Sequence, residues 1–224
     1  MNGSDTAALP LTDGYKRGDR GPAMTRDEIM AECRRVILEE GAAVTRLAET
    51  LDYSELARAA EILGECKGRI IITGCGTSAM AARKIAHSLS CIERPALFLN
   101  PADGVHGGSW VIQKDDVLIL LSKGGRTEEL MNLIPIYKAK GAFCIVVSED
   151  NESPLAKAAD HFIRVKVERE PCPFNMLATS SILAVIAVFD AICIALMRHT
   201  GYTREQFALI HPGGAVGKRL TEGN

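Results

Sequence analysis

Two glycine-bearing junctions hold the residues of this chain best suited to chemistry. In the first, Ile70-Ile-Ile-Thr-Gly-Cys-Gly-Thr-Ser78 breaks a β-branched apolar run at Gly74 and Gly76 and passes through Thr77 and Ser78 into a helical pattern. Glycine permits the turn and lets backbone N–H groups approach an anion, and the next helix adds the positive end of its dipole. In the second, Val117-Leu-Ile-Leu-Leu-Ser122 runs into Lys123-Gly-Gly-Arg-Thr-Glu-Glu129 and another helical pattern. This junction adds the hydroxyls of Ser122 and Thr127 and the cations Lys123 and Arg126. Together the two turns supply the several donors that a phosphate monoester demands.

Gly74-Cys-Gly76-Thr-Ser-Ala79 also fits the dinucleotide fingerprint G-x-G-x-x-A. That reading wants an acidic residue at the end of the next strand to hold a ribose hydroxyl, and the strand instead ends at Asn100-Pro101. The bland alternatives are a β–α turn without a ligand and, for the second junction, a solvated charge cluster. His106 and His211 stand in glycine-rich loops, so an acid–base role and a core role both stay open for each. Glu168 and Glu170 end a predicted strand where a parallel sheet binds ligands; an exposed Glu–Arg cluster is the alternative. His87, His161 and His199 lack such surroundings and read as structural. No H-E-x-x-H motif or Cys/His spacing marks a metal site, and neither metal nor cofactor is expected.

Hydrophobic period gives the elements that must carry these residues. From residue 69 onward, strands are predicted over 69–73, 96–100, 117–122, 143–148 and 161–167, alternating with helices over 78–90, 128–140, 154–159 and 179–199. The strands are continuously apolar, as when both faces of a sheet are covered. The predicted class is α/β, a doubly wound, mostly parallel five-stranded sheet of flavodoxin-like kind, with its ligand beyond the carboxyl ends of the strands. Ahead of it, Thr25-Arg-Asp-Glu28 has capping-box spacing, and Ile29, Cys33, Val36, Val44, Leu47 and Leu51 recur at helical steps. Residues 24–68 therefore read as a helical arm before a phosphate-binding domain over 69–224, and the long apolar stripe predicts packing between subunits. Residues 1–23 show no periodicity and read as a disordered extension.

The net charge of −2 over 224 residues, without a run of Lys or Arg, argues against nucleic acid as a partner. Seven scattered cysteines without a C-x-x-C pair, mostly inside apolar runs, suit a reduced compartment, and no apolar leader opens the chain. A cytoplasmic protein is expected. Ser180–Met197 is apolar enough to suggest a membrane span, but Asp190 in its middle favours a buried core or interface helix, so no membrane partner is expected.

These motifs resemble the sugar isomerase (SIS) domain family, in its arabinose-5-phosphate isomerase branch, over roughly Leu47 to Leu220. The most specific pieces are Gly74-x-Gly76-x-Ser78, Asn100-Pro-Ala-Asp-Gly-Val-His106, Ser122-x-Gly-Gly-x-Thr127-x-Glu129, Glu168-Arg-Glu170-x-Cys-Pro173, Ala178-Thr-Ser-Ser181 and Phe207-Ala-Leu-x-His211-Pro-Gly-Gly-Ala-x-Gly217. The similarity is to the catalytic domain without the paired CBS modules that usually follow it. The resemblance implies a homotetramer with sites built from more than one subunit and a cofactor-free aldose–ketose isomerisation of a sugar phosphate. It implies catalytic roles for Glu129, Glu170 and His211. The family's first-loop lysine is Thr77 here, and Gly124, Arg126, Asn100 and Gly108 also depart from its pattern.

On this reading Glu170, raised towards neutrality by desolvation, is the base, and His211 serves ring opening and the oxygens. His106 and Glu129 position the substrate. Gly74, Gly76, Thr77, Ser78, Ser122, Lys123, Arg126, Thr127 and Glu168 are the expected binding residues, with Lys123 and Arg126 replacing the absent lysine's charge. The rival from another class is a non-catalytic phosphosugar sensor or regulatory subunit.

Overall fold

The computed structural model describes residues 23–212. The extension expected over 1–23, all but its last residue, and the end of the C-terminal motif from Gly213 onward lie outside the described residues. The chain divides into two compact units, residues 1–35 and 36–224. In the first, Thr25 opens helix α1 (Arg26–Thr50) with the expected capping box: its N–H donates to the Glu28 carboxylate at 2.7 Å, and the Glu28 N–H donates to its hydroxyl at 3.3 Å. Ile29, Met30 and Cys33 are exposed there.

In the second unit, β1 (Ile70–Gly74), β2 (Ala96–Phe98), β3 (Val117–Leu121), β4 (Phe143–Ser148) and β5 (His161–Arg164) form one sheet in the order β2-β1-β3-β4-β5, parallel throughout. Successive side chains alternate between two apolar layers. Ile70, Ile72, Val117, Ile119, Leu121, Ile145 and Val147 face one core with α2 (Tyr53–Glu65), α3 (Thr77–Ser90) and α8 (Ser180–His199). Ile71, Leu118, Leu120, Cys144 and Val146 face the other, with α5 (Glu128–Met131), α6 (Ile134–Lys140) and α7 (Pro154–Ala158). The strand order reverses between β1 and β3, and both glycine loops leave the sheet there.

The helix expected over 128–140 is two helices, because Pro135 lacks an N–H and its ring would strike the carbonyl of Met131, where α5 ends. The second strand stops at Phe98, since the Asn100 side chain accepts from the Ala102 N–H at 3.1 Å and caps α4 (Pro101–Gly104). α9 (Arg204–Ile210) was not anticipated, although Thr203-Arg-Glu-Gln206 is itself a capping box. α8, with a mean hydropathy of 2.4, is long and apolar enough to cross a membrane. Here its Ala184, Val188, Phe189, Ile192 and Leu196 fill the core, and Asp190 pairs with Lys84 of α3. Of the apolar stripe on α1 within this unit, only Leu47 is buried, while Ile37 and Leu38 beside it are exposed.

Gly125 fixes the second loop. Its φ of +65° is left-handed, its N–H donates to the Ser122 hydroxyl at 3.1 Å, and a Cβ there would lie 2.5 Å from Ser153 Cβ. Gly125→Ala should therefore cost at least ~2 kcal/mol, the range for a strained non-glycine residue with a clash added. Gly124→Ala, with open space around it, should stay within about 0.5 kcal/mol of wild type or slightly above it. Urea unfolding of both variants decides, and equal midpoints would refute this account of the loop.

Candidate active site

Parallel strands deliver all their carboxyl ends to one edge, so the loops after β1, β3, β4 and β5 meet there. Gly76, at φ +56°, turns the first loop into α3, and a Cβ on Gly74 would lie 3.0 Å from Ser78, so the glycine lets helix and strand approach. The start of α3 separates two pockets. One, of about 50 Å³, is lined by Ser78, Ser122, Lys123, Ser148, Glu149 and Ser181. The other, of about 200 Å³, is lined by Gly74, Cys75, Gly76, Arg83, Asn100 and Glu129. Thr77 is exposed on the first turn of α3.

In the second loop the hydroxyls of Ser122 and Thr127 bond each other at 2.8 Å. Lys123 reaches back across the sheet edge and donates to Glu170 Oε1 at 2.6 Å, with Glu149 Oε1 at 3.9 Å on its other side. Glu170 has no exposed surface. Its second oxygen, Oε2, accepts the N–H groups of Thr179 at 3.0 Å and Ser181 at 3.2 Å, so a carboxylate distant in sequence caps the N-terminus of α8. Burial pushes this carboxyl up, but the Lys123 ammonium and the α8 donors outweigh it and hold it down at about 2. The expectation of a Glu170 raised towards neutrality is thus corrected: desolvation is present and overcome by its partners.

The other expected residues are spread more widely. Arg126 turns outward and pairs with Asp150 at 3.1 Å. Glu129 is exposed beside Cys75, whose thiol is pushed up by burial and by that carboxylate. Glu168 pairs with Arg46 at a separate cavity of about 400 Å³, away from both glycine loops. His106 lies in an exposed turn after α4.

His211 caps the end of α9, its Nδ1 2.9 Å from the Phe207 carbonyl and its ring stacked on Phe207 at 4.0 Å. α9 is fastened to the far end of α3, through Tyr202 to the Cys91 carbonyl and Gln206 to Glu93. That end is about 20 Å along the helix from the first loop. Within one chain, then, the structure brings Ser78, Ser122, Lys123, Thr127 and Glu170 together and leaves His211 apart. It also adds Glu149, which the sequence did not single out. Its only signal there is a position just past an apolar strand at the ligand edge.

Glu170 also links stability to pH. A carboxyl at about 2 in the folded chain, against an ordinary 4.5, stabilises the fold fully above the unfolded value and loses that contribution as the pH falls from about 5 towards 2. Glu170→Gln should melt lower than wild type at pH 7 and show a shallower loss of stability between pH 5 and pH 2.5. Melting curves at several pH values check this, and parallel profiles for the two proteins would contradict it.

The chain is similar to known proteins over most of its length. The SIS domain family matches residues 62–195. Arabinose 5-phosphate isomerase KdsD of Pseudomonas aeruginosa is 40% identical over 194 residues, which are 87% of this chain and 59% of that protein. The chain therefore spans about three-fifths of the length of the curated relatives it matches. Among solved structures, a candidate sugar-phosphate isomerase from Listeria monocytogenes superposes with a TM-score of 0.84 at 51% identity, over 85% of this chain and all of that one. An Escherichia coli protein in complex with arabinose 5-phosphate gives 0.81 at 29% identity, over 84% of this chain and all of that one. With the doubly wound sheet, the two glycine loops and this match over most of the second unit, the chain belongs to the SIS domain family.

Proposed function

We propose that this protein interconverts an aldose and a ketose phosphate, most like D-arabinose 5-phosphate and D-ribulose 5-phosphate, as a cytoplasmic homotetramer that needs no cofactor. The observation that carries the reading is the Lys123 ammonium, set in the pocket that Ser78 and Ser122 line. It supplies there the cation that Thr77, at the family's lysine position, does not. Ser78, Ser122 and Thr127, with the N-termini of α3 and α5, take the phosphate. A site of this kind removes a proton beside the carbonyl and returns it to the neighbouring carbon. Both steps need a base held out of water and charge near the developing enediolate.

The exposed apolar side chains of α1, Ile29, Met30, Ile37 and Leu38, support assembly. The placement of His211 far from its own glycine loops is what a contribution to a neighbouring subunit's site requires. The regulatory reading draws its support from Glu170, a fully bonded anion and so a weak base. A panel of pentose and hexose phosphates tested for thermal stabilisation and then for turnover separates the two; binding without turnover of any member selects the sensor.

Replacing Lys123 and Arg126 together by Ala should weaken arabinose 5-phosphate binding by several-fold to a hundredfold, as charge-assisted hydrogen bonds of ~1.5–3 kcal/mol imply. An unchanged Kd would remove them from the phosphate site. His211→Ala should keep the fold and the affinity while turnover falls at least ~10²-fold, the range for loss of an acid–base group. Sedimentation of the wild type should show an assembly, and a clean monomer at micromolar concentration would exclude a shared site.

A further inference from the structure

Three charged side chains meet at the ends of β3, β4 and the segment after β5: Lys123, Glu149 and Glu170. We propose that Glu149 takes the proton from the carbon beside the carbonyl, and that Glu170 is the fixed anion that holds Lys123 and the start of α8 in place. This inference rests on the isomerase reading above. Both oxygens of Glu170 are engaged, Oε1 by the Lys123 ammonium and Oε2 by the Thr179 and Ser181 N–H groups. Glu149 differs. Its Oε1 is buried and, among the described residues, accepts no hydrogen bond, and the ammonium of Lys123 stands 3.9 Å away, too far to donate.

The backbone holds Glu149 firmly: its N–H donates to the Lys123 carbonyl at 3.0 Å, the Ser148 hydroxyl donates to the same oxygen, and Arg164 donates to the Glu149 carbonyl. The side chain shares the pocket with Ser78 and Ser122, the expected phosphate hydroxyls. The charged groups facing it are Lys123, Lys166 and Glu170, with the Val167 N–H on its carboxylate. Burial wins over the two lysines, with Glu170 adding to it, and pushes the Glu149 carboxyl above its ordinary 4.5. A carboxylate displaced that way is the better base of the pair near neutral pH.

The step balances without a co-reactant. The C2–H bond of the aldose breaks, the proton passes to Glu149, the bonding pair becomes the C1=C2 double bond, and the carbonyl pair moves onto the C1 oxygen. Glu149 then delivers a proton to C1 while the O2 hydroxyl proton passes to O1 and the O2 electron pair closes the C2=O bond, which leaves the ketose. Among the described residues Glu149 forms no hydrogen bond through Oε1, so Glu149→Gln should fold as the wild type does.

Turnover of D-arabinose 5-phosphate and exchange of its C2 proton in D₂O should both fall at least ~10²-fold in Glu149→Gln, with KM within a few-fold and melting temperature unchanged. Glu149→Asp should recover part of the rate. In wild type, the acid limb of kcat/KM should follow a carboxyl signal that titrates above 4.5 in ¹³C-glutamate NMR and disappears in Glu149→Gln. A folded Glu149→Gln with at least half the wild-type turnover overturns the proposal, as does a Glu149 signal that titrates at or below 4.5. A wild type that neither turns over nor exchanges any aldose phosphate rejects the isomerase reading and this role with it. An active wild type with an active Glu149→Gln rejects only the role.

Discussion

A carboxylate with no contact with water must be neutralised where it stands, and Glu170 meets that demand with an ammonium on one oxygen and a helix N-terminus on the other. Much of the site depends on this. The pair draws the loop after β3 across the sheet edge to the segment after β5, and the capped end fixes where α8 begins. A charge buried with partners on both sides costs less than one left alone. It also fixes geometry, since neither Lys123 nor α8 can shift without exposing the anion's charge to an apolar surrounding.

The sheet provides the rigid base for that arrangement. Its central strands β1, β3 and β4 are buried on both faces and in parallel register, so their ends are held in fixed order. Loops placed at such ends can carry strained or charged groups because the scaffold below does not yield. Gly125 at φ +65° and Asn175 at φ +54°, whose side chain accepts the Glu170 N–H at 2.7 Å, are two such groups. They sit on either side of the Lys123–Glu170 bond.

The start of α3 divides the edge into two pockets, with Glu129 on one side and Lys123, Glu149 and Glu170 on the other. The carboxylates at this edge therefore have different surroundings: Glu129 is exposed beside a thiol, Glu170 is a locked anion, and Glu149 is raised by burial. Differences of this kind are how one fold assigns separate tasks to like side chains.

The layer architecture was legible in the residues alone. Continuous apolar strands and glycine-broken β–α junctions are local properties, so strands near 70, 117 and 143, the helix after Gly76 and the ligand edge could be located from spacing. So could the arrival of Ser78, Ser122 and Thr127 at that edge, because each lies within a few residues of a strand end. Even the break before α6 was written in Pro135. What the sequence could not state was the charge state of Glu170, the pairing of Lys123 with a residue 47 positions away, or the role open to Glu149. Nor could it say that Glu168 would turn to Arg46 and His211 to Phe207. Proton affinity depends on burial and on partners from distant segments, and these exist only once the sheet has brought its strand ends together.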